Sequence, residues 1–161
     1  MAGNGGMVSK DEDGLRDELV IRVPRPEERG RWDPLWQGYL RFYRQQLDPA
    51  ITETSWLRFL DPGQQPHALV AADGRELLGF ATYLFHRSSW SVQPYCYLED
   101  LFVAPEARGR GVARRLIQAV YAAADVAGAS TVYWQTQEYN ADARALYDTL
   151  ARRTSHIVYQ R

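Results

Sequence analysis

The chain has one cysteine, Cys96, so it cannot form an internal disulfide. No apolar run approaches the roughly twenty residues that a membrane helix needs. Neither sign of charge dominates: 19 Lys and Arg stand against 20 Asp and Glu, which removes the broad basic field that draws proteins to nucleic acid or anionic membranes. The three histidines, His67, His86 and His156, are scattered without metal-ligand spacing, so no metal is expected. Repeats and low-complexity segments are also lacking. These absences point to a cytosolic protein with neither nucleic acid nor membrane as a partner.

A length of 161 residues allows one substantial core and is short for two ordinary domains. Met1 to Asp13 is Gly-rich and charged and carries no signal-peptide hydrophobic segment. Residues 1–18 are therefore expected to be a flexible tail ahead of one domain over 19–161. Leu19 to Val23 reads as a first strand, ended by Pro24 and Pro26. Trp32, Trp36, Tyr39 and Tyr43 recur at helical spacing, with Leu35, Leu40, Phe42 and Leu47 widening the stripe until Pro49 interrupts it. A shorter helix is expected over Thr52–Leu60. His67–Ala72 and Leu77–Phe85 flank Asp73-Gly74-Arg75 as a hairpin. A loop is expected over Arg87–Pro94, then a strand over Tyr95–Ala104, a helix over Val112–Ala127 capped by Gly128, a strand over Ser130–Gln137, a helix over Ala141–Arg152 and a last strand over His156–Gln160. An antiparallel meander followed by this alternation describes a mixed α/β sheet in which two neighbouring strands run parallel.

The segment Tyr97-Leu-Glu-Asp-Leu-Phe-Val103 feeds Ala-Pro-Glu-Ala-Arg108-Gly-Arg-Gly-Val-Ala113, a strand-like run leading into a glycine-rich turn that opens a helix. The first N–H groups of a helix have no intrahelical partner, and the aligned peptide dipoles add positive charge there, so such a turn can hold a phosphorylated ligand. Gly109 and Gly111 allow a tight turn and a close approach to phosphate, since a Cβ would crowd the phosphates or the turn, and Arg108 and Arg110 add positive charge.

Arg108-x-x-Gly111-x-Ala113 and, further on, Asn140-x-x-Ala143-x-x-x-Tyr147 together resemble the GCN5-related N-acetyltransferase superfamily, in detail from Tyr95 to Tyr147. Tyr97 to Val103 and Val132 to Thr136 are similar to the subgroup that acetylates polyamines, amino acids and histone tails. The resemblance implies an acyl-CoA N-acyltransferase fold, with a mostly antiparallel sheet, a parallel pair splayed at a bulge, and helices on both faces. It implies acetyl-CoA as co-substrate, its pyrophosphate held by Arg108 through Ala113, chiefly by the N–H groups of Arg110, Gly111, Val112 and Ala113. Leu101 and Val103 would offer backbone groups to the pantetheine arm. Asn140 is a good N-cap by residue type, and the resemblance adds a contact to the same arm. Tyr147 would protonate or hydrogen-bond the departing thiolate.

Glu99 and Asp100 are adjacent acids on a strand, where strict alternation sends them to opposite faces. An acid in the opening can hold a cationic amine and take its proton; Glu99 is the expected base or proton relay, and Asp100 an acceptor contact. The bland alternative pairs one of them with an Arg. Tyr39 and Tyr43 read as core and pocket wall, with a cation-holding role as the second reading. Cys96 reads as a small buried hydrophobe. The function that follows is acetyl transfer to a primary amine of a small molecule by direct attack in a ternary complex. Protein-lysine acetylation and a non-catalytic acyl-CoA-binding module are the alternatives. The family's usual C-terminal hairpin is replaced by one exposed last strand, which can pair with a second copy as a homodimer.

Overall fold

Strand alternation and one aromatic helix together decide the layout. The computed structural model describes residues 19–161; the tail expected over 1–18 lies outside the described residues. Along the chain come β1 (Val20–Arg22), α1 (Arg29–Phe42), α2 (Pro49–Leu60), β2 (His67–Asp73), β3 (Glu76–Ser88), β4 (Ser91–Val103), α3 (Val112–Val126), β5 (Thr131–Tyr133) and α4 (Ala141–Tyr147). The strands form one sheet in the order β1-β2-β3-β4-β5. The first three pairings are antiparallel and β4 with β5 is parallel. This is the mixed sheet expected of the acyltransferase fold.

The core fills both faces of β2 to β4. On one face Phe80 meets Trp32, Trp36 and Tyr39 of α1 at ring separations of 6.0, 5.9 and 5.9 Å. Trp32 also packs on Trp56 and Phe59 of α2 at 5.1 and 5.7 Å. The indole N–H of Trp36 donates to Thr52 at 3.0 Å, which ties the two helices together without leaving a buried donor unpaired. Alternation turns the neighbours of Phe80 to the other face, where α3 buries Val112, Leu116, Ile117, Val120 and Ala124. Gly38 lets α1 sit close to the sheet: a Cβ there would lie 2.7 Å from the Phe102 ring.

Helix boundaries differ from the expected ones for local reasons. α1 ends at Phe42, not at Pro49, because Arg44 takes a left-handed φ of 54° and the N–H groups of Arg44 and Gln45 close back on the carbonyls of Arg41 and Leu40. Leu47 is therefore outside the stripe. Pro49 begins α2, three residues earlier than expected, with Asp48 accepting from the Ala50 N–H at 2.8 Å. The loop expected over Arg87–Pro94 is mostly strand: Ser88 pairs with Ser91, and the Ser88 hydroxyl accepts from Trp90 N–H. α4 stops at Tyr147 rather than Arg152. The strand expected over His156–Gln160 does not form among the described residues; its β-forming side chains have no neighbouring strand to hydrogen-bond.

Three register shifts shape β3, one of them at its end between His86 and Ser88. Between Ala71 and Ala72 the pairing slips against Gly79 and Leu77. On the other edge Thr82 opposes Asp100 while Tyr83 opposes Leu98, which leaves Glu99 as an extra residue on β4. Gly79 is enclosed at the first shift, where a Cβ would lie 2.5 Å from the Phe102 carbonyl oxygen. Gly79→Ala is expected to destabilise the protein by about 1–3 kcal/mol through overpacking. Gly30→Ala, with nothing within 4 Å of the new Cβ, should instead stabilise α1 by about 0.5 kcal/mol. Urea unfolding of the two variants checks the contrast.

Candidate active site

The parallel pairing of β4 with β5 lasts three residues: Tyr95, Cys96 and Tyr97 oppose Thr131, Val132 and Tyr133. β4 continues to Val103 while β5 ends, so the strand expected over Ser130–Gln137 is cut short and the two diverge. The next residue, Trp134, lies outside β5 and packs on Tyr121 at 6.2 Å and edge-on against Tyr147 at 5.4 Å. Beyond Tyr97 one edge of β4, including Leu101 and Val103, has no strand paired to it among the described residues. An extended chain bearing amide groups can bind such an edge.

The edge leads to the glycine-rich turn. A single 3-10 turn, Pro105–Ala107, brings the chain to Arg108, and α3 begins at Val112 with Gly111 as its N-cap. Gly109 and Gly111 have φ of 75° and 77°. A Cβ at either would meet nothing within 4 Å, so of the two expected clashes the one with the turn itself is absent. Glycine is needed there for its left-handed backbone, which costs other residues about 1–2 kcal/mol. The N–H groups of Val112 and Ala113 lie in the first turn of a fifteen-residue helix, where they have no intrahelical partner. The arginines are less free than expected. Arg110 is paired with Asp73 at 2.6 Å, Arg108 Nε reaches the Val103 carbonyl at 3.4 Å, and Arg114 donates to Thr149 at 2.9 Å.

The bulge changes where the two acids point. Thr82 and Tyr83 are consecutive and face opposite sides, so their partners Asp100 and Leu98 do too. Asp100 joins α1's face, where Thr82 Oγ1 donates to it at 2.5 Å. Glu99 lies within charge-interaction range of Asp100, Tyr39 and Tyr97 on the same side. The alternation argument that sent the acids to opposite faces thus fails at the extra residue. Neither acid takes part in an ion pair among the described residues. Burial raises the carboxyl of Asp100 above the ordinary range, although Thr82 and Tyr39 hold its charged form. Burial, with Asp100 as a like-charged neighbour, raises Glu99 as well.

Tyr39 and Tyr43 stand over these acids at a ring separation of 4.9 Å. Burial and then the Asp100 charge push both phenols up. Tyr147 ends α4, half-buried against Trp134; burial, with a contribution from Tyr43, pushes its hydroxyl to about 12, so it stays protonated. Tyr43 therefore interacts with both Asp100 and Tyr147. Asn140 precedes α4, but its side chain makes no cap hydrogen bond; the amide donates to Thr136 at 3.1 Å. Three residues on this face were not singled out from sequence: Tyr97, Tyr133 and His86. The phase of Tyr97, two residues before Glu99, was the available signal.

Among the described residues no helix is long and apolar enough to cross a membrane. An open strand edge, a glycine-rich helix start and two acids without an ion-pair partner among the described residues thus lie along one strand and the turn that follows it. Residues 31–151 match the profile of the acetyltransferase (GNAT) family, and the chain belongs to this family of N-acetyltransferases. The D-amino-acid N-acetyltransferase HPA3 of Saccharomyces cerevisiae is 36% identical over 149 residues, covering 91% of this chain and 92% of its own. A thialysine N-epsilon-acetyltransferase of Sus scrofa is 34% identical over 121 residues, covering 69% and 71%. An aminoglycoside N-acetyltransferase solved in complex with CoA shares the fold at a TM-score of 0.74 and 21% identity, over 89% of this chain and 94% of that one.

An acid whose pKa is raised by folding binds protons more readily when folded, so it weakens the fold once the pH is high enough to ionise it. Asp100→Asn should therefore melt roughly 2–4 °C above the parent at pH 8. The gap should close as the pH falls into the carboxylate range and Asp100 becomes neutral. Thermal unfolding at several pH values checks both parts.

Proposed function

We propose that residues 19–161 form one acetyl-CoA-dependent N-acetyltransferase domain acting on a primary amine of a small molecule. The observation that carries this reading is the pair of unpaired acids, Glu99 and Asp100, brought by the bulge to one face beside Tyr39 and Tyr43. The relatives named for D-amino acids and thialysine support a small amine acceptor. The donor set fits acetyl-CoA. The N–H groups of Arg110 through Ala113 suit a pyrophosphate, and the open edge at Leu101 and Val103 suits the amide-bearing arm, with Asn140 at the start of α4 as a further contact. When bound, acetyl-CoA supplies an acetyl group activated as a thioester.

The chain's residues then have separable tasks. Asp100, fixed by Thr82, holds the positive charge of the acceptor, with the faces of Tyr39 and Tyr43 as further cation contacts. Glu99 is less constrained, and its raised pKa suits it to take a proton from the ammonium, directly or through water. Tyr147, kept protonated by burial, donates to the departing sulfur. Direct attack of the amine needs no protein nucleophile. Cys96 is buried and its thiol is pushed up to about 11, which fits a structural residue.

The test is release of CoA thiol from acetyl-CoA across diamines, amino acids of both hands and a histone-tail peptide. Acceptor-dependent release with small amines is expected, with kcat falling about 10²–10⁴-fold in Tyr147→Phe and in Glu99→Gln. The acid limb of the parent's pH profile should lie above the ordinary carboxylate range, because Glu99 must be deprotonated to act, and Glu99→Gln should remove that limb. Release with the peptide alone would overturn the small-molecule assignment. Absence of release with every acceptor, despite acetyl-CoA binding, would overturn catalysis.

The same reading includes a homodimer. Ile157, Val158 and Tyr159 are 73, 67 and 87% exposed, in a segment of β-forming residues without a partner strand, and β5 is a short edge of three residues. Light scattering should show a dimer, and deletion of residues 156–161 a monomer. A monomeric parent protein would remove this part of the proposal.

A further inference from the structure

The far side of the cleft holds a hydrogen-bonded pair that the chemistry above does not use. His86, on β3, packs edge-on against Tyr95 at 5.8 Å and Tyr133 at 5.7 Å. Its Nδ1 lies 2.9 Å from the Arg87 carbonyl oxygen, which can only accept, so Nδ1 carries the hydrogen. In the neutral ring Nε2 then has the lone pair, and the Tyr133 hydroxyl, 2.8 Å away, donates to it. The one hydrogen of Tyr133 is thereby spent on His86. What its oxygen can offer the cleft is a lone pair. Tyr133 also stacks on Tyr97 at 5.0 Å and 27°, and Tyr97 lies within interaction range of Glu99, Asp100, Tyr133 and Tyr43. Tyr133 pairs with Tyr97, and Tyr97 and Glu99 are two strand residues apart, so Tyr133 stands about 7 Å along β4 from Glu99.

We propose that Tyr133, oriented by His86, is an acceptor-specificity residue whose hydroxyl oxygen receives a hydrogen bond from a second amino group of the acceptor. The idea rests on the amine-acetyltransferase reading above and deepens it. One amino group sits at Glu99 and Asp100, and the other, several carbons away, reaches Tyr133. A carboxylate in the second position would face an oxygen whose hydrogen is already committed, beside two acids that lack an ion-pair partner among the described residues. His86 is a positioning residue: it acts on the acceptor only through the direction of the Tyr133 hydroxyl.

The experiment compares 1,5-diaminopentane, pentylamine and 5-aminopentanoate, by calorimetric binding to the CoA-saturated full chain and by CoA release. The parent protein should bind the diamine about tenfold more tightly than pentylamine, the size of one hydrogen bond to a charged group. Tyr133→Phe keeps the stacked ring and should abolish that ratio. His86→Phe should also abolish it, while His86→Gln, whose side-chain carbonyl can accept the Tyr133 hydrogen, should restore most of it. An unchanged ratio in Tyr133→Phe would overturn the proposal, as would a loss confined to 5-aminopentanoate. Tyr133-dependent diamine binding without CoA release from any amine would sink the acetyltransferase reading and leave the subsite standing. Release with a diamine preference indifferent to Tyr133 would do the reverse.

Discussion

The site depends on one extra residue. A β-strand alternates its side chains strictly, so Leu98 and Asp100 ought to share a face. Because Glu99 is inserted opposite the Thr82–Tyr83 step, the phase of β4 flips there. Before the bulge Leu98 is buried in the core, and after it Asp100 is turned toward Thr82 and the tyrosines of α1. Without the flip the second acid would be driven into the apolar face packed by α3. The same strand then runs on past the end of β5, so the reoriented acids stand beside an unpaired backbone edge.

The rest of the molecule holds that arrangement still. α1 is fixed over the sheet by the Trp32 cluster, and its end is set by the left-handed Arg44, so Tyr39 and Tyr43 arrive above the acids. At the other end of the sheet Glu28, almost fully buried, accepts both guanidinium nitrogens of Arg22 at 2.9 and 2.7 Å and the Arg25 N–H at 2.8 Å. The Arg22 hydrogen bonds hold that carboxyl below its usual range despite burial. This pair joins β1 to the start of α1. Charges satisfied in this way serve architecture, whereas Glu99 and Asp100 have no such partner among the described residues and carry raised pKa values. That contrast is what makes the two acids of β4 the candidates for chemistry.

Much of the site was legible in the residues because its signals are local. A glycine-rich turn before an amphipathic helix specifies a left-handed backbone ahead of the helix start within a few residues, and both glycines do adopt positive φ. The spacing from Asn140 to Tyr147 is carried by a single helix. Less legible were features made by residues far apart. Tyr133 and His86 are separated by 47 positions, and Arg110 is paired across to Asp73. The expected last strand at His156–Gln160 shows the opposite failure: its residues favour β structure, but a strand exists only where another backbone completes its hydrogen bonds.

Taken alone, the sequence determined most of the element order, the apolar faces of α1 and α3 and the glycine-rich turn that opens α3. Each follows from periodicity, backbone freedom or residue chemistry over short stretches of chain. Only the tertiary structure decided which way Glu99 and Asp100 point, where β4 and β5 part, and which arginines remain available to a ligand. Those outcomes depend on register between strands and on packing partners far apart in the chain, and no local window contains that information.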